Sequence, residues 1–401
     1  VLPSIESRVF DDFGPTRFGR RGKAGGITLR GDLREARLLI RKHCGLTPGV
    51  YGMIDSEGEL IYVGKSKALK DRLLSYFHAA EPDAKSRKIV ARTERLVWEG
   101  CGHEFSALLR ELELIRRWQP PFNVQGRPGR LRRSYVCLGR GPAPYAYLGA
   151  RPTSRSEAFF GPVPASRQAR DSVRRLNDHF RLRDCPEQGP TVFSEQLDLF
   201  PEARAAGCLR YDVGTCLAPC AGACSGAGYA KQVREARQFL AGSNSGVLDK
   251  LQQQMRLAAA GLQFERAAAL RDSWENLSWL IDHLCRLRHV RKEYSFVYPL
   301  SGVGRKNVWF LIRGGQVAGV VGGLRDGQSA LRSIGAVERV FSADPAKLAP
   351  ERPEDIEILL LISAWFRRHP QELENTLSPQ TALQLCFNRI PAATRAREKA
   401  G

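Results

Sequence analysis

Five side chains between positions 51 and 76 have types suited to a phosphodiester: the phenols of Tyr51, Tyr62 and Tyr76 and the cations of Lys65 and Arg72. A phenol can orient or deprotonate water, and a fixed cation can meet charge developing on a phosphate. To act together they must be brought to one place. The stretch GVYGMIDSEGELIYVGKSKALKDRLLSYF has the parts for that. Two β-rich runs, 49–55 and 59–64, flank a Ser56-Glu57-Gly58 turn and read as a hairpin. Tyr51 and Tyr62 sit at similar distances from the turn and are expected to face one another. A helix follows, with Leu69, Leu73 and Phe77 spaced for burial. Lys65, Arg72 and Tyr76 are expected to share one face of it. Taken singly, each residue has a more ordinary use in strand packing or on a solvated helix face.

A carboxylate is supplied further on, in HEFSALLRELELIRRW. Phe105, Leu108, Leu112, Ile115 and Trp118 have core spacing for a helix. Glu111 has Ala107, Leu108, Leu114 and Ile115 as helical neighbours, so it borders the buried stripe. Glu113 has Leu109, Arg110, Arg116 and Arg117, which places it near cations on the outer side. A carboxylate against an apolar face needs a partner. A divalent cation is one, and a salt bridge to Arg110 is the plainer alternative.

Jointly, GVY, YVGK after ten intervening residues and R-x-x-x-Y resemble the GIY-YIG nuclease family in the form found in UvrC, the incision subunit of bacterial nucleotide excision repair. The resemblance implies that Tyr51, Tyr62, Lys65, Arg72 and Tyr76 line the active site and that Glu111 binds Mg2+ or Mn2+. It also makes Asn123, in the tail Pro120-Pro121-Phe122-Asn123, an active-site residue. Lys65 would favour a phenolate, Tyr62 or Tyr51 would orient or deprotonate the water, and Arg72 would stabilise the phosphate; which tyrosine is the base stays open.

The chain of 401 residues has 62 Lys and Arg against 42 Asp and Glu, a net charge of +20. A balance so basic points to a polyanion, most often nucleic acid, although an arginine-rich proteome produces part of such an excess. No long apolar run and no signal-peptide layout are visible, so a cytoplasmic protein with no membrane association is expected. Ten cysteines then read as reduced thiols or metal ligands. Residues 1–46 read as a flexible basic lead with a glycine-rich patch, GRRGKAGG. The lead ends in a helix over 33–43 that buries Leu38, Leu39 and Ile40.

Between positions 126 and 156 there are seven arginines and no acid, with Tyr135, Tyr145 and Tyr147 interleaved. Arg127, Arg130, Arg132, Arg133 and Arg140 are candidate contacts to double-stranded DNA. The following segment, FFGPVPASRQARDSVRRLNDHFRLRDC, resembles the UvrC stretch after the nuclease domain, with a helix from about Ser166. Cys185, Cys208, Cys216 and Cys220 are spaced C-x22-C-x7-C-x3-C, with Cys224 a further step on. Four thiolates suit zinc or an iron–sulfur cluster, and spacing alone does not choose. CLRYDVGTCLAPC resembles the UvrC pattern around a [4Fe-4S] cluster, with Zn2+ the alternative. The acidic insert SEQLDLFPEA lengthens the first interval.

Helices over 247–260 and 263–283 about Gly261 form a hairpin in which Leu248, Leu251, Met255 and Leu262 face Phe264, Ala267, Ala268, Leu270 and Leu277. LQFERAAALRD resembles the UVR motif through which UvrC meets the helicase UvrB. Over 294–401 three strands and a helix at 355–368 are readable. No clustered acidic triad for two-metal hydrolysis is visible, so the RNase H-like nuclease of UvrC is expected to be absent.

The expected fold class is α+β and multidomain. Its parts are a basic lead (1–46), a small GIY-YIG α/β nuclease domain (47–125), an Arg-rich and cysteine-rich metal-cluster region (126–240), a UVR helical hairpin (246–284) and a C-terminal α/β region (290–401). The expected activity is DNA incision with one divalent metal, on the 3′ side of a lesion. A non-catalytic DNA-binding repair adaptor and a UvrB-independent structure-specific nuclease are the alternatives.

Overall fold

The computed structural model describes residues 9–19, 21–29, 33–77, 84–123, 133–185, 191–196, 208–244, 246–302, 304, 307–342 and 353–390. The chain forms two compact units, one from residues 1–130 with 290–401 and the other from 131–289.

The described part of the basic lead is folded, against its expected flexibility. Phe10, Phe13 and Phe18 are buried, and Ala24–Thr28 forms strand β1. The glycines of GRRGKAGG have a packing reason: a Cβ on Gly25 would lie 2.8 Å from the Trp98 ring, so β1 can lie there only without a side chain. Helix α1 (Leu33–His43) buries Ala36 and Ile40 but leaves Leu38 65 % exposed, correcting its expected burial. Strands β2 (Gly49–Ile54) and β3 (Leu60–Ser66) form the expected hairpin, with Gly58 at φ +79° in its turn. After them come α2 (Leu69–Ser75), α3 (Ala84–Ala91), β4 (Arg95–Gly100) and α4 (Glu104–Trp118). The antiparallel sheet has the order β1-β4-β2-β3, which leaves β3 at an edge.

Alternation along the hairpin sorts its residues to two faces. Tyr51, Met53 and Ile61 pack with Ala36 and Ile40 of α1 and Leu69 and Leu73 of α2, whereas Val50 and Val63 pack with Ala107, Leu114 and Ile115 of α4. Leu69, Leu73 and Phe77 are all buried, as their spacing requires.

In the second unit β5 (Arg133–Gly139), β6 (Ala146–Gly149) and β7 (Ser156–Pro164) form a sheet of order β6-β5-β7. Helix α5 (Arg167–His179) starts where the sequence places it, with the Ser166 hydroxyl accepting from the Ala169 N–H at 3.1 Å. A short α6 (Leu209–Asp212) lies in the cysteine segment, and α7 (Gly226–Ala241) ends on Gly242 at φ +76°. Helices α8 (Gly246–Ala260) and α9 (Phe264–Glu293) make the hairpin. Helix α9 runs ten residues past the expected end, because Leu284, Leu287 and Val290 continue its buried stripe. Leu251 and Leu277 join the core of α5 and α7, but Leu262 and Phe264 at the tip are 73 % and 67 % exposed. The expected facing of Leu262 and Phe264 is therefore corrected: the tip lies beyond that core.

The chain then completes the first unit. Strands β8 (Phe296–Ser301), β9 (Asn307–Arg313) and β10 (Gln316–Gly322) form an antiparallel meander in the predicted places. Helices α10 (Gly327–Ser342), α11 (Pro353–Arg368) and α12 (Pro379–Arg389) follow. Phe105 of α4 enters an aromatic cluster with Tyr298, Phe310 and Trp365, at centroid distances of 5.3, 5.2 and 5.6 Å. Arg116 of α4 pairs with Glu357 of α11 at 2.7 Å. Helix α4 is thus covered on two sides, which corrects its single-stripe reading. Ala107, Leu109, Leu114 and even Arg110 are buried, while Leu108, Leu112 and Trp118 are only half-buried. Among the described residues no helix is long and apolar enough to cross a membrane.

Candidate active site

Strand pairing sets the site. Tyr51 lies opposite Gly64 and Met53 opposite Tyr62, so the two tyrosines are diagonal neighbours rather than facing residues, with ring centroids 6.1 Å apart. Gly64 has to be glycine, since a Cβ there would come within 2.5 Å of the Tyr51 ring and hydroxyl. Arg72 on α2 and Tyr76 at its C-cap close over the same face. The hydroxyls of Tyr51 and Tyr76 are 2.8 Å apart, and Arg72 donates from Nε to Tyr51 at 3.2 Å and from a terminal nitrogen to Tyr76 at 3.1 Å. The guanidinium also lies over the Tyr76 ring, 4.8 Å from its centroid.

Lys65 is on β3, not on a helix face with Arg72 and Tyr76. It pairs with Val50, so it points to the α4 face, where Glu111 stands. Burial pushes the Glu111 carboxyl up to about 7, and the charge and backbone N–H of Lys65 pull it back. Burial also pushes Tyr51 well up, and Tyr62 up to about 12; Tyr76 and Glu111 raise Tyr62 further, while the Tyr51 hydrogen bond and the Arg72 charge oppose them. The cation that favours the phenolates is thus Arg72, not Lys65, and burial outweighs it. At neutral pH both phenols are protonated.

The two halves of the site lie on opposite faces of the hairpin and meet around edge strand β3. Asn123 works on the free side of that strand. Its Oδ1 accepts from the Val63 N–H and its Nδ2 donates to the Val63 carbonyl, both at 2.8 Å. Phe122 adds a backbone bond to the Ile61 carbonyl at 3.0 Å. Asn123 therefore substitutes for a missing neighbour strand and is a positioning residue for Tyr62 and Lys65.

Glu113 is not on an outer face. It pairs with the buried Arg110 at 2.6 Å, and Arg110 also meets Glu99 through two contacts of 3.2 Å and the carbonyls of Phe13 and Pro15. The salt bridge considered for Glu111 thus belongs to Glu113 and Glu99. Glu99, on β4, was not legible as a partner from helix spacing alone.

Of the candidate DNA contacts, Arg127, Arg130 and Arg132 lie outside the described residues; Arg133 begins β5 and Arg140 is exposed just beyond its end. The five clustered cysteines act on one another. Cys216 is raised by burial, with Cys185 and Cys208 adding to it, and Cys224 is raised to about 11 by burial, Cys216, Glu195 and Cys220. Among the described residues no three Cys, His, Asp or Glu side chains are grouped as ligands of a metal ion. Glu195 of the acidic insert caps the start of α7, accepting from the Gly226 N–H at 2.7 Å.

Comparison with known proteins follows the same division. Family models match as a UvrC-like GIY-YIG domain over residues 47–124, a UvrC/Cho excinuclease middle domain over 135–239 and a UvrB/UvrC motif over 245–278. UvrABC system protein C of Pseudomonas fluorescens (strain SBW25) is 38 % identical over 229 residues, which is 57 % of this chain and 36 % of that protein. Its counterpart in Alcanivorax borkumensis is 36 % identical over 231 residues, again 36 % of its length. The chain thus spans about a third of the length of these curated relatives. A crystal structure of the GIY-YIG N-terminal endonuclease domain of UvrC from Thermotoga maritima, bound to its catalytic divalent cation magnesium, is 30 % identical, covering 24 % of this chain and 99 % of that one at a TM-score of 0.21. Three family matches in unbroken order, with the tyrosines, lysine and arginine of the motif on the β2–β3 hairpin and α2, place residues 47–278 of this chain in the UvrC family.

Proposed function

We propose that the chain is a DNA endonuclease of nucleotide excision repair that hydrolyses one phosphodiester, on the 3′ side of a lesion, with Mg2+ or Mn2+ at Glu111. The observation that carries this reading is the half-buried Glu111 carboxyl, with Lys65 as a counter-charge, beside a phenol–guanidinium group. A single carboxylate suits a hard cation that keeps most of its water shell. When bound, such a cation supplies positive charge to a phosphate oxygen. Lys65 favours the ionised form of Glu111 that a cation requires. Tyr62, a protonated phenol within the influence of Glu111, orients a water or phosphate oxygen at the β3 edge. Arg72, held by two phenols, offers its remaining donors to charge developing on the phosphate. Asn123 keeps the β3 backbone, and so Tyr62 and Lys65, in register.

The exposed hairpin tip, with Leu257, Leu262 and Phe264, is proposed as the contact to a UvrB-like helicase. For the cysteines the proposed group remains a [4Fe-4S] cluster on Cys185, Cys208, Cys216 and Cys220, supported by the mutual influence of the thiols and by the family pattern. No step of the reaction depends on it. The reading is tested by incision of a lesion-bearing duplex in Mg2+ or Mn2+, with and without UvrA and UvrB. Cleavage that needs both partners and is lost in Glu111→Gln supports it. Damage-dependent binding without cleavage by the wild-type protein would leave only an adaptor.

A further inference from the structure

In the sheet of the second unit, β6 and β7 both pair antiparallel to β5 from opposite sides, so they run parallel to each other. Residues 150–155 must therefore carry the chain across one face of β5. One face is closed by the core, through Val136, Leu138 and Val163. The crossing takes the other: Cys137, which alternates with those residues, has no exposure, and the Arg151 carbonyl lies 3.3 Å from where a Gly149 Cβ would stand. Beside this crossing the register sets Phe159 next to Cys137 on the same outward face. Phe159 is 56 % exposed, and the Tyr135 ring meets it edge to face at 6.0 Å. Tyr145, by contrast, packs against the core.

Arg140, just past β5, and Arg151 and Arg155, in the crossing, are all exposed. The backbone ties them together: the Arg140 N–H donates to the Arg155 carbonyl at 2.9 Å and its Nε to the Ser156 carbonyl at 3.3 Å. The acid in this stretch, Glu157, is paired with Arg237 at 3.1 Å. An aromatic ring left in water on an edge strand, flanked by arginines, gains nothing for the fold. Its surroundings match a ligand with flat apolar rings and a repeated negative charge.

We propose that this face binds single-stranded DNA, with bases stacking on Phe159 and Tyr135 and phosphates meeting Arg140, Arg151 and Arg155. A duplex hides the base faces that an aromatic step needs, whereas a strand opened beside an incision exposes them. The choice of DNA rests on the incision function proposed above. Binding itself does not require cleavage, so the two can fail separately.

The test is fluorescence anisotropy of full-length protein with a labelled oligo-dT, an abasic strand of equal length, an oligo-U RNA and a duplex, all in EDTA. Phe159→Ala is expected to weaken oligo-dT binding about tenfold and duplex binding little. Phe159→Trp should restore it, and the abasic strand should bind wild type and Phe159→Ala alike. Arg151→Ala with Arg155→Ala should reduce the salt slope by about 0.7 per lost contact on a single strand. Equal oligo-dT affinity for wild type and Phe159→Ala overturns the proposal, as does an equal loss on duplex. Tighter binding of oligo-U than of oligo-dT, lost with Phe159→Ala, would give the face to RNA instead. Oligo-dT binding that depends on Phe159 in a protein that never incises DNA would sink the nuclease reading and leave this one standing.

Discussion

The phenol–guanidinium site and the cysteine group each gather about five reactive side chains, but they are held by different means. Tyr51, Tyr62 and Lys65 sit on paired strands, and Arg72 and Tyr76 close a helix end over them. The Tyr51 and Tyr76 hydroxyls and the Arg72 guanidinium bond to one another, and Asn123 fixes the free strand edge. The thiols are strung along loops around the four-residue α6, where Cys185 is exposed and Cys216 buried. Regular elements preorganise the first group before any ligand arrives. The second depends on its ligand to define its shape, since metal–thiolate bonds supply folding free energy in loop-rich segments.

The sharpest way to break that contrast is through metal content. Anaerobically purified protein is expected to be brown, with iron and sulfide in near-equal amounts, and Cys216→Ser or Cys220→Ser should lose the colour entirely. Cys137→Ser, at a position buried in a sheet, should keep it. Colourless protein holding one tight zinc would exclude the iron cluster but keep the thiolate site.

On the preorganised side, Glu111→Gln is expected to cut single-turnover incision by about a thousandfold or more, because it removes the metal's only carboxylate. The same change should raise the melting temperature of metal-free protein, since a half-buried carboxyl with a raised pKa is replaced by a neutral group. A mutant that melts no higher than wild type would mean that Glu111 is not held under strain. Arg72→Ala should cost on the order of 100-fold in rate with DNA affinity nearly intact. Arg72→Lys should not rescue it, because a lysine cannot bridge the hydroxyls of Tyr51 and Tyr76 as a planar fork does.

Glu113→Gln sharpens the comparison from the structural side. It leaves the buried Arg110 with one carboxylate instead of two, and is expected to cost about 2–3 kcal/mol in denaturant unfolding. Incision per folded molecule should be unchanged; a rate loss as large as that of Glu111→Gln would put Glu113 in the chemistry. The smallest expected effect is a pH dependence. Below about 4.5 Glu111 is neutral whether folded or not. As the pH rises toward its folded value of about 7, the unfolded chain ionises first and metal-free folded protein loses stability. Above that the penalty is constant. The stability difference between Glu111→Gln and wild type should therefore grow with pH between these values.

Local patterns made the hairpin, α2, α5 and strands β8 to β10 legible, because turn residues and apolar periods act over a few residues. What failed were statements about partners distant in sequence. Lys65 looked like a helix-face cation because intervals of seven and four ignore the strand end between them. Glu113 looked exterior because its neighbours are arginines, yet Arg110 is buried by Glu99 and by carbonyls of the lead. Leu38 and Leu108 fit a period and still lie partly open, since a helix position is buried only if something covers it. Phe159 was passed over because nothing in FFGPVP tells which of two adjacent phenylalanines the sheet turns outward.

The cover over α4 carries a last consequence, for synthesis. Phe105 is packed by Tyr298, Phe310 and Trp365, and Arg116 is paired by Glu357, so the first unit is built from segments on either side of the second in sequence. A ribosome that has just released α4 must add more than 170 residues before β8 emerges, which takes about 10–35 s at bacterial elongation rates. For that interval the aromatic face of α4 has no mate, while residues 131–289 can already collapse on their own core. The inserted unit is thus positioned to fold first, and the helix bearing Glu111 to settle last. Such contacts between sequence-distant segments are slow to form, which makes the half-made unit a natural client of chaperones and leaves the helix bearing Glu111 uncovered until the late segments arrive.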